Sequence, residues 1–181
     1  MTNPGQKHYT AEEFFAMLPE SNSQRCELIN GEIIAMASPS ELHQDIVLGA
    51  GSTIRDYIRK NKGNCKVMIA AFDVKLAEDV VVVPDVSVIC DPSKLDGKRC
   101  NGAPDWVIEV TSSNRQDDLI TKYSLYQKYG VREYWIVDPK YQKTLVYFFE
   151  KSDLPNIYTF DTPVPVEIYQ RNLTLTVSEL L

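Results

Sequence analysis

Four side chains stand where packing alone would not put them. Asp85 follows Pro84 inside the run Val80-Val81-Val82-Val83-Pro84-Asp85-Val86-Ser87-Val88-Ile89, and Glu109 interrupts Trp106-Val107-Ile108-Glu109-Val110. A carboxylate in a strand that otherwise reads as buried is costly unless something compensates its charge. A divalent cation is one such partner, because Mg2+ prefers hard carboxylate oxygens and keeps several of its waters. Lys122 is the third. At about 100° per residue on a helix, it falls between Tyr126 and Tyr129 on the arc that also carries Leu119 and Tyr123. It therefore points inward, and a lysine aimed at a sheet needs an anion. Asp85 and Glu109 would be the anions, and Glu27 adds a fourth charge.

Hydrolysis of a phosphodiester needs a nucleophilic water, neutralisation of the phosphate and stabilisation of the leaving oxygen. One or two Mg2+ ions held by carboxylates supply all three. A nearby lysine can hold the phosphate or the attacking water. Asp85 and Glu109 lie 24 residues apart, on two strands that read as neighbours. Competing readings stand beside this one. Pro84-Asp85 alone is a common turn element. Glu109 paired with Lys122 could be a structural ion pair without metal. Pro104-Asp105 repeats the dipeptide but precedes the strand core, so Asp105 reads as a strand-start residue. His43, beside Leu42 on a helix, reads as a surface or supporting residue. Tyr126 reads as core packing, with a hydroxyl able to brace Glu109. Arg55, Arg59, Lys60 and Lys62 read as a solvated face, with an unspecific contact to a nucleic-acid backbone as the alternative.

The elements that must position these groups can be traced in order. The chain has 181 residues, 44% hydrophobic and 24% charged, with a net charge of −6. That suits a single domain, 1–181, with a sizeable core and a loose tail over 1–9, and argues against a general basic coat for nucleic acid. Cys26, Cys65, Cys90 and Cys100 contain no CxxC pair, so a structural zinc is not expected and free thiols in a reducing, cytoplasmic setting are. The aliphatic run Val80–Val83 is far too short to span a bilayer. Thr10 and Glu13 form a capping box before a short helix that Pro19 helps to end. Asn30-Gly31 between apolar runs predicts a hairpin of strands 26–29 and 32–37. Ser38 as cap opens a helix to Lys60 with Leu42, Ile46, Ala50, Ile54, Tyr57 and Ile58 on its apolar face. Strands are predicted over 65–76, 80–90, 104–111, 132–137, 144–149, 157–160 and 173–177, and a helix over 114–129. Residues 91–103 read as a polar loop. Strand pairs mixed with long helices predict an α/β class, a mixed sheet with helices packed on it. The aromatic-rich tail (Tyr147, Phe148, Phe149, Tyr158, Phe160) suits either a partner surface or core.

Pro84-Asp85, then Glu109-Val110-Thr111, then a helical Lys122 resembles the PD-(D/E)XK nuclease pattern. The wider match is to the Uma2-type restriction endonucleases. It is carried by Glu27 through Glu32, Ser40 through Gln44, Phe72 through Leu76, Gly102 through Val110, Lys122 through Tyr126 and Gly130 through Pro139. The resemblance implies a restriction-endonuclease-like core and a Mg2+-dependent endonuclease acting on DNA, with Mn2+ as an alternative ion. It implies Asp85, Glu109 and the Val110 carbonyl as metal ligands, Glu27 as a water-orienting acid, and Lys122 as the group that positions water or phosphate. One departure is Thr111, which stands where the superfamily places its lysine; the resemblance moves that role to Lys122. A homodimer is expected from the two-fold symmetry of enzymes that cut both strands. The alternative function is a catalytically idle domain of this fold that binds nucleic acid or a protein partner.

Overall fold

A computed structural model describes residues 7–17, 25–111 and 116–181. Helix α1 (Ala11–Met17) begins with the expected box: the Glu13 amide donates to Thr10 Oγ1 at 3.2 Å, and the Thr10 amide to Glu13 Oε2 at 2.9 Å. Pro19 lies outside the described residues. Strands β1 (Cys26–Ile29) and β2 (Glu32–Ala35) form the Asn30-Gly31 hairpin, with φ of 50° and 81° at the two turn residues. Both positive values fit the turn whose twist matches paired strands. Residues 8 and 9 are not loose. The Tyr9 amide donates to Gly31 O at 2.9 Å, and His8 Nδ1 lies 3.0 Å from Asn30 O. Residues 1–6 of the expected tail fall outside the described residues.

Helix α2 (Glu41–Lys60) is capped by Ser40 rather than Ser38: Ser40 Oγ accepts the His43 amide at 3.3 Å. Its buried face is His43, Ile46, Val47, Ala50, Gly51, Ile54 and Ile58. Leu42 is 42% exposed. Ile46, Ala50, Ile54 and Ile58 of the expected face are buried, and the departure is at its start, where His43 takes the place of Leu42 because the face runs through the i, i+3, i+4, i+7 positions counted from His43.

Two predicted strands are each cut in half. The stretch 65–76 divides into β3 (Lys66–Ile69) and β4 (Val74–Ala77), and 80–90 divides into β5 (Val80–Val82) and β6 (Val86–Ile89). The halves belong to different sheets. One sheet has the order β2-β1-β5-β4-β7, with β7 at Cys100–Asn101. The other runs β11-β10-β9-β8-β6-β3, with β8 (Trp106–Val110), β9 (Glu133–Asp138), β10 (Lys143–Phe148) and β11 (Asn156–Thr159). Pro84 marks the crossing. It has no amide to give a ladder, and the preceding Val83 amide leaves the sheet for Glu27 Oε1 at 2.8 Å. A 3-10 turn (Pro92–Lys94) and β7 occupy the expected polar loop. A small pair, β12 (Val164–Pro165) with β13 (Thr174–Leu175), follows near the C-terminus.

Helix α3 (Gln116–Tyr129) joins β8 to β9, which pair in parallel as such a crossover requires. The predicted start at Asn114 lies outside the described residues. Alternation along β8 divides the core. Trp106, Ile108 and Val110 join Ile46, Ala50 and Ile54 of α2 on one face. Val107 joins Leu125 and Tyr126 of α3, Val74 and Val82 on the other. Phe160 is buried on the α2 side, and Tyr147 meets Tyr123 edge-on at 4.8 Å, so much of the aromatic tail is core rather than a surface for a partner.

The thiol expectation needs correction. Cys65 and Cys90 form a disulfide, while Cys26 and Cys100 are free. The antiparallel register pairs Lys66 with Ile89, so residues 65 and 90 become neighbours across the strands. Among the described residues no helix is long and apolar enough to cross a membrane.

Candidate active site

The β6–β8 register brings the two strand acids together. Val86 pairs with Ile108, so one step further Asp85 lies across from Glu109. Asp85 Oδ2 accepts the Val110 amide at 2.8 Å and meets His43 Nε2 at 3.1 Å. With the imidazole donating from Nε2, Nδ1 is left buried and without a hydrogen-bond partner among the described residues.

Behind Asp85 lies a denser cluster. Lys122 Nζ sits 3.0 Å from Glu109 Oε1 and 3.0 Å from Glu27 Oε1. The Tyr126 hydroxyl, one helical turn on, donates to Glu109 Oε1 at 2.6 Å. Glu27 Oε1 also takes the Val83 amide described above. Lys122 is 2% exposed, Glu27 3% and Glu109 5%. The cluster thus draws one acid from each sheet, an acid from the crossing between the sheets, an ammonium and a phenol from α3, and an imidazole from α2.

Two carboxylates hold one ammonium here, and a third, Asp85, lies close enough to repel Glu109. Burial pushes the Glu109 carboxyl up to about 8; Lys122 opposes the shift, and repulsion from Asp85 and Glu27 adds to it. Burial and then Glu109 push the Tyr126 phenol well above its ordinary value, so it remains a donor. The contacts of each acid converge on a single oxygen: Asp85 Oδ2, Glu109 Oε1 and Glu27 Oε1.

A pocket of about 270 Å³ opens at Asp85, with Arg25, Ser38, His43, Gln44 and Val110 in its wall. Glu27, Glu109 and Lys122 are not part of that wall. Among the described residues, no group of three or more His, Cys, Asp and Glu side chains is arranged to hold a metal ion. The donor chemistry nonetheless suits a hard divalent ion. Mg2+ is commonly bound through one or two carboxylates plus phosphate oxygens and waters. Asp85 offers a carboxylate at the pocket wall, and Glu109 next to it is the acid whose ionised form the surroundings disfavour most, so an added cation would favour that form.

All four residues singled out in the sequence meet in this region, and Val110 joins them through its amide. Thr111 lies just past the end of β8, its amide donating to Val137 O of the neighbouring β9 at 2.8 Å. Asp105 behaves as a strand-start residue: Oδ2 accepts the Cys90 amide at 2.8 Å, and Oδ1 meets Arg132 at 3.4 Å. His43 is the residue that sequence reasoning undervalued. Its signal was the helical phase it shares with Ile46, Val47 and Ala50.

Known proteins point the same way. The family model Uma2, described as "Putative restriction endonuclease", matches residues 11–178. A crystal structure from Anabaena variabilis, titled as a putative nuclease belonging to DUF820, is 26% identical. It superposes with a TM-score of 0.78 over 94% of this chain and 96% of that one. No curated protein matches the sequence. The mixed sheets between helices are accordingly a restriction-endonuclease-like core. With nearly its whole length matched and its fold shared, the chain belongs to the Uma2 family.

Proposed function

We propose that this chain is a divalent-metal-dependent endonuclease that hydrolyses DNA phosphodiester bonds. The observation that carries the reading is Lys122, an ammonium 2% exposed and held 3.0 Å from both Glu109 and Glu27 beside the Asp85 pocket. A buried ion pair with surplus acid is an expensive way to pack a core, and perturbed titratable groups cluster at working sites.

Asp85, Glu109 and the Val110 carbonyl are the groups that would hold Mg2+ or Mn2+. The bound ion would neutralise phosphate charge and lower the pKa of water. The chain's own residues do the rest. His43 and the Val110 amide fix the Asp85 carboxylate. The Tyr126 hydroxyl fixes one oxygen of Glu109. Lys122 presents a positive charge for a phosphate oxygen or the attacking water, and Glu27 holds that ammonium in place. Pairing of two copies about a two-fold axis would give one such site per DNA strand, which light scattering tests.

Nicking of plasmid DNA with Mg2+ by wild type, Asp85→Ala and Lys122→Ala tests the assignment. The variants should be inactive. Equal activity in all three points to a contaminant and removes the proposal.

A second reading has its own observation. Glu27, Glu109 and Lys122 satisfy one another outside the pocket wall, as they would in an idle domain that binds nucleic acid or a protein. Calorimetry with Mg2+ or Mn2+ separates the two. A nuclease site binds the ion and loses it on Glu109→Ala.

A further inference from the structure

Two further hollows follow the Asp85 pocket along α2. Gln44 in the pocket wall is followed one turn later by Leu48, and Ala70 is followed by Ala71. Leu48 and Ala71 line a second hollow, of about 370 Å³, with Ser52, Arg55, Met68 and Phe72. A third hollow, of about 360 Å³, shares Arg55, Val67 and Met68 with the second and ends at Arg59 and Lys66. The second and third hollows form one groove between α2 and β3, the edge strand of the six-stranded sheet, and it begins one helical turn from the Asp85 pocket. At about 1.5 Å per residue, the helix spans roughly 22 Å from Gln44 to Arg59.

The far end of this groove is basic in a chain whose net charge is −6. Arg55, Arg59, Lys60, Lys62 and Lys66 gather there, all exposed, and Asp56 is the single acid between Ser52 and Phe72. Among the described residues none of these five makes an ion pair, whereas Lys75, Arg132, Lys151 and Arg171 each hold a carboxylate. Val67, Met68 and Phe72 give the groove an apolar floor. Phosphates neutralised by arginine and lysine, with apolar surface against sugar or base, are the complement of such a surface. A second copy is the other occupant an edge strand invites. A two-fold contact here would set the basic cluster against itself.

We infer that the α2–β3 groove is a track for the phosphate backbone of a nucleic-acid strand leading to the Asp85 pocket. The inference rests on the nuclease reading for the class of its ligand. Fluorescence anisotropy of a labelled DNA duplex, over a salt series without divalent cations, tests it. Three proteins are compared: wild type, Arg55→Ala/Arg59→Ala, and Lys140→Ala/Lys143→Ala, which removes equal charge from the exposed β9–β10 turn. The arginine pair should weaken binding of unrelated sequences alike. It should also make the slope of log K against log salt shallower by about 1.8, or about 0.9 per lost phosphate contact. The lysine pair should match wild type.

An unchanged slope in the arginine pair overturns the inference, as does a wild type that binds no DNA. So does an arginine pair whose only change, by light scattering, is in the association of copies. A protein that shows the shallower slope but never nicks DNA supports the groove and sinks the nuclease. One that nicks while the slope ignores Arg55 and Arg59 does the reverse.

Discussion

Glu109 and Glu133 are buried carboxylates on neighbouring parallel strands, held by different kinds of partner. Glu133 begins β9 on the α2 face. It accepts Trp135 Nε1 at 2.7 Å, the Ile168 amide at 2.9 Å and the Glu167 amide at 3.2 Å. Glu109 lies near the end of β8 on the α3 face, with an ammonium, a phenol and two further acids around it. Burial raises both, Glu133 to about 7 and Glu109 to about 8. Fixed amides and an indole fasten Glu133 to the C-terminal segment and leave it a structural clasp. An ammonium and a phenol hold Glu109, with further acid beside it, so its partners are themselves titratable. A buried acid is thus informative through its partners, and burial alone does not distinguish a clasp from a working group.

The largest test of this contrast is Lys122→Met. It strands Glu27 and Glu109 in the core, and loss of one partner of a buried pair costs about 3–5 kcal/mol. Urea unfolding should show that loss most fully above pH 8, where Glu109 as well as Glu27 is ionised, with nicking abolished in the folded fraction. Retained stability would mean the acids had already been neutral.

Glu133→Ala orphans the buried Trp135 indole and two half-buried amides, at about 1–3 kcal/mol for the buried donor left unpaired. Unfolding should register the loss, while cation affinity by calorimetry stays at the wild-type value. A fall in cation affinity would erase the distinction between the two acids.

The pH dependence separates them further. A raised carboxyl keeps its proton in the folded state where the unfolded chain releases it. Its contribution is therefore present at low pH and lost as pH rises through the folded value. For Glu109 the window runs from its ordinary value of 4.5 to about 8, and for Glu133 from 4.5 to about 7. Glu109→Gln should flatten the decline in metal-free stability above pH 7, and Glu133→Gln should not. Added Mg2+ should flatten only the part that Glu109 supplies.

The smallest effect is expected for His43→Ala, which removes one donor from Asp85 at about 1 kcal/mol. Nicking should fall more than stability does, with partial rescue by His43→Gln. Equal nicking would make His43 a packing residue only.

Much of this was legible in the chain. Asn30-Gly31 dictated its hairpin, Thr10 and Glu13 their cap, and the phase of Lys122 against Tyr123 and Tyr126 its inward aim. These are local rules that a few neighbouring residues satisfy or fail. The division of 80–90 between two sheets, the burial of His43 in place of Leu42 and the Cys65–Cys90 bond were not legible. Periodicity records that a residue is covered, not which partner covers it. Only the tertiary pairing of β1 with β5 and of β6 with β3 and β8 decided that, and it set Glu27 and Glu109 on a single ammonium with Asp85 across from Glu109.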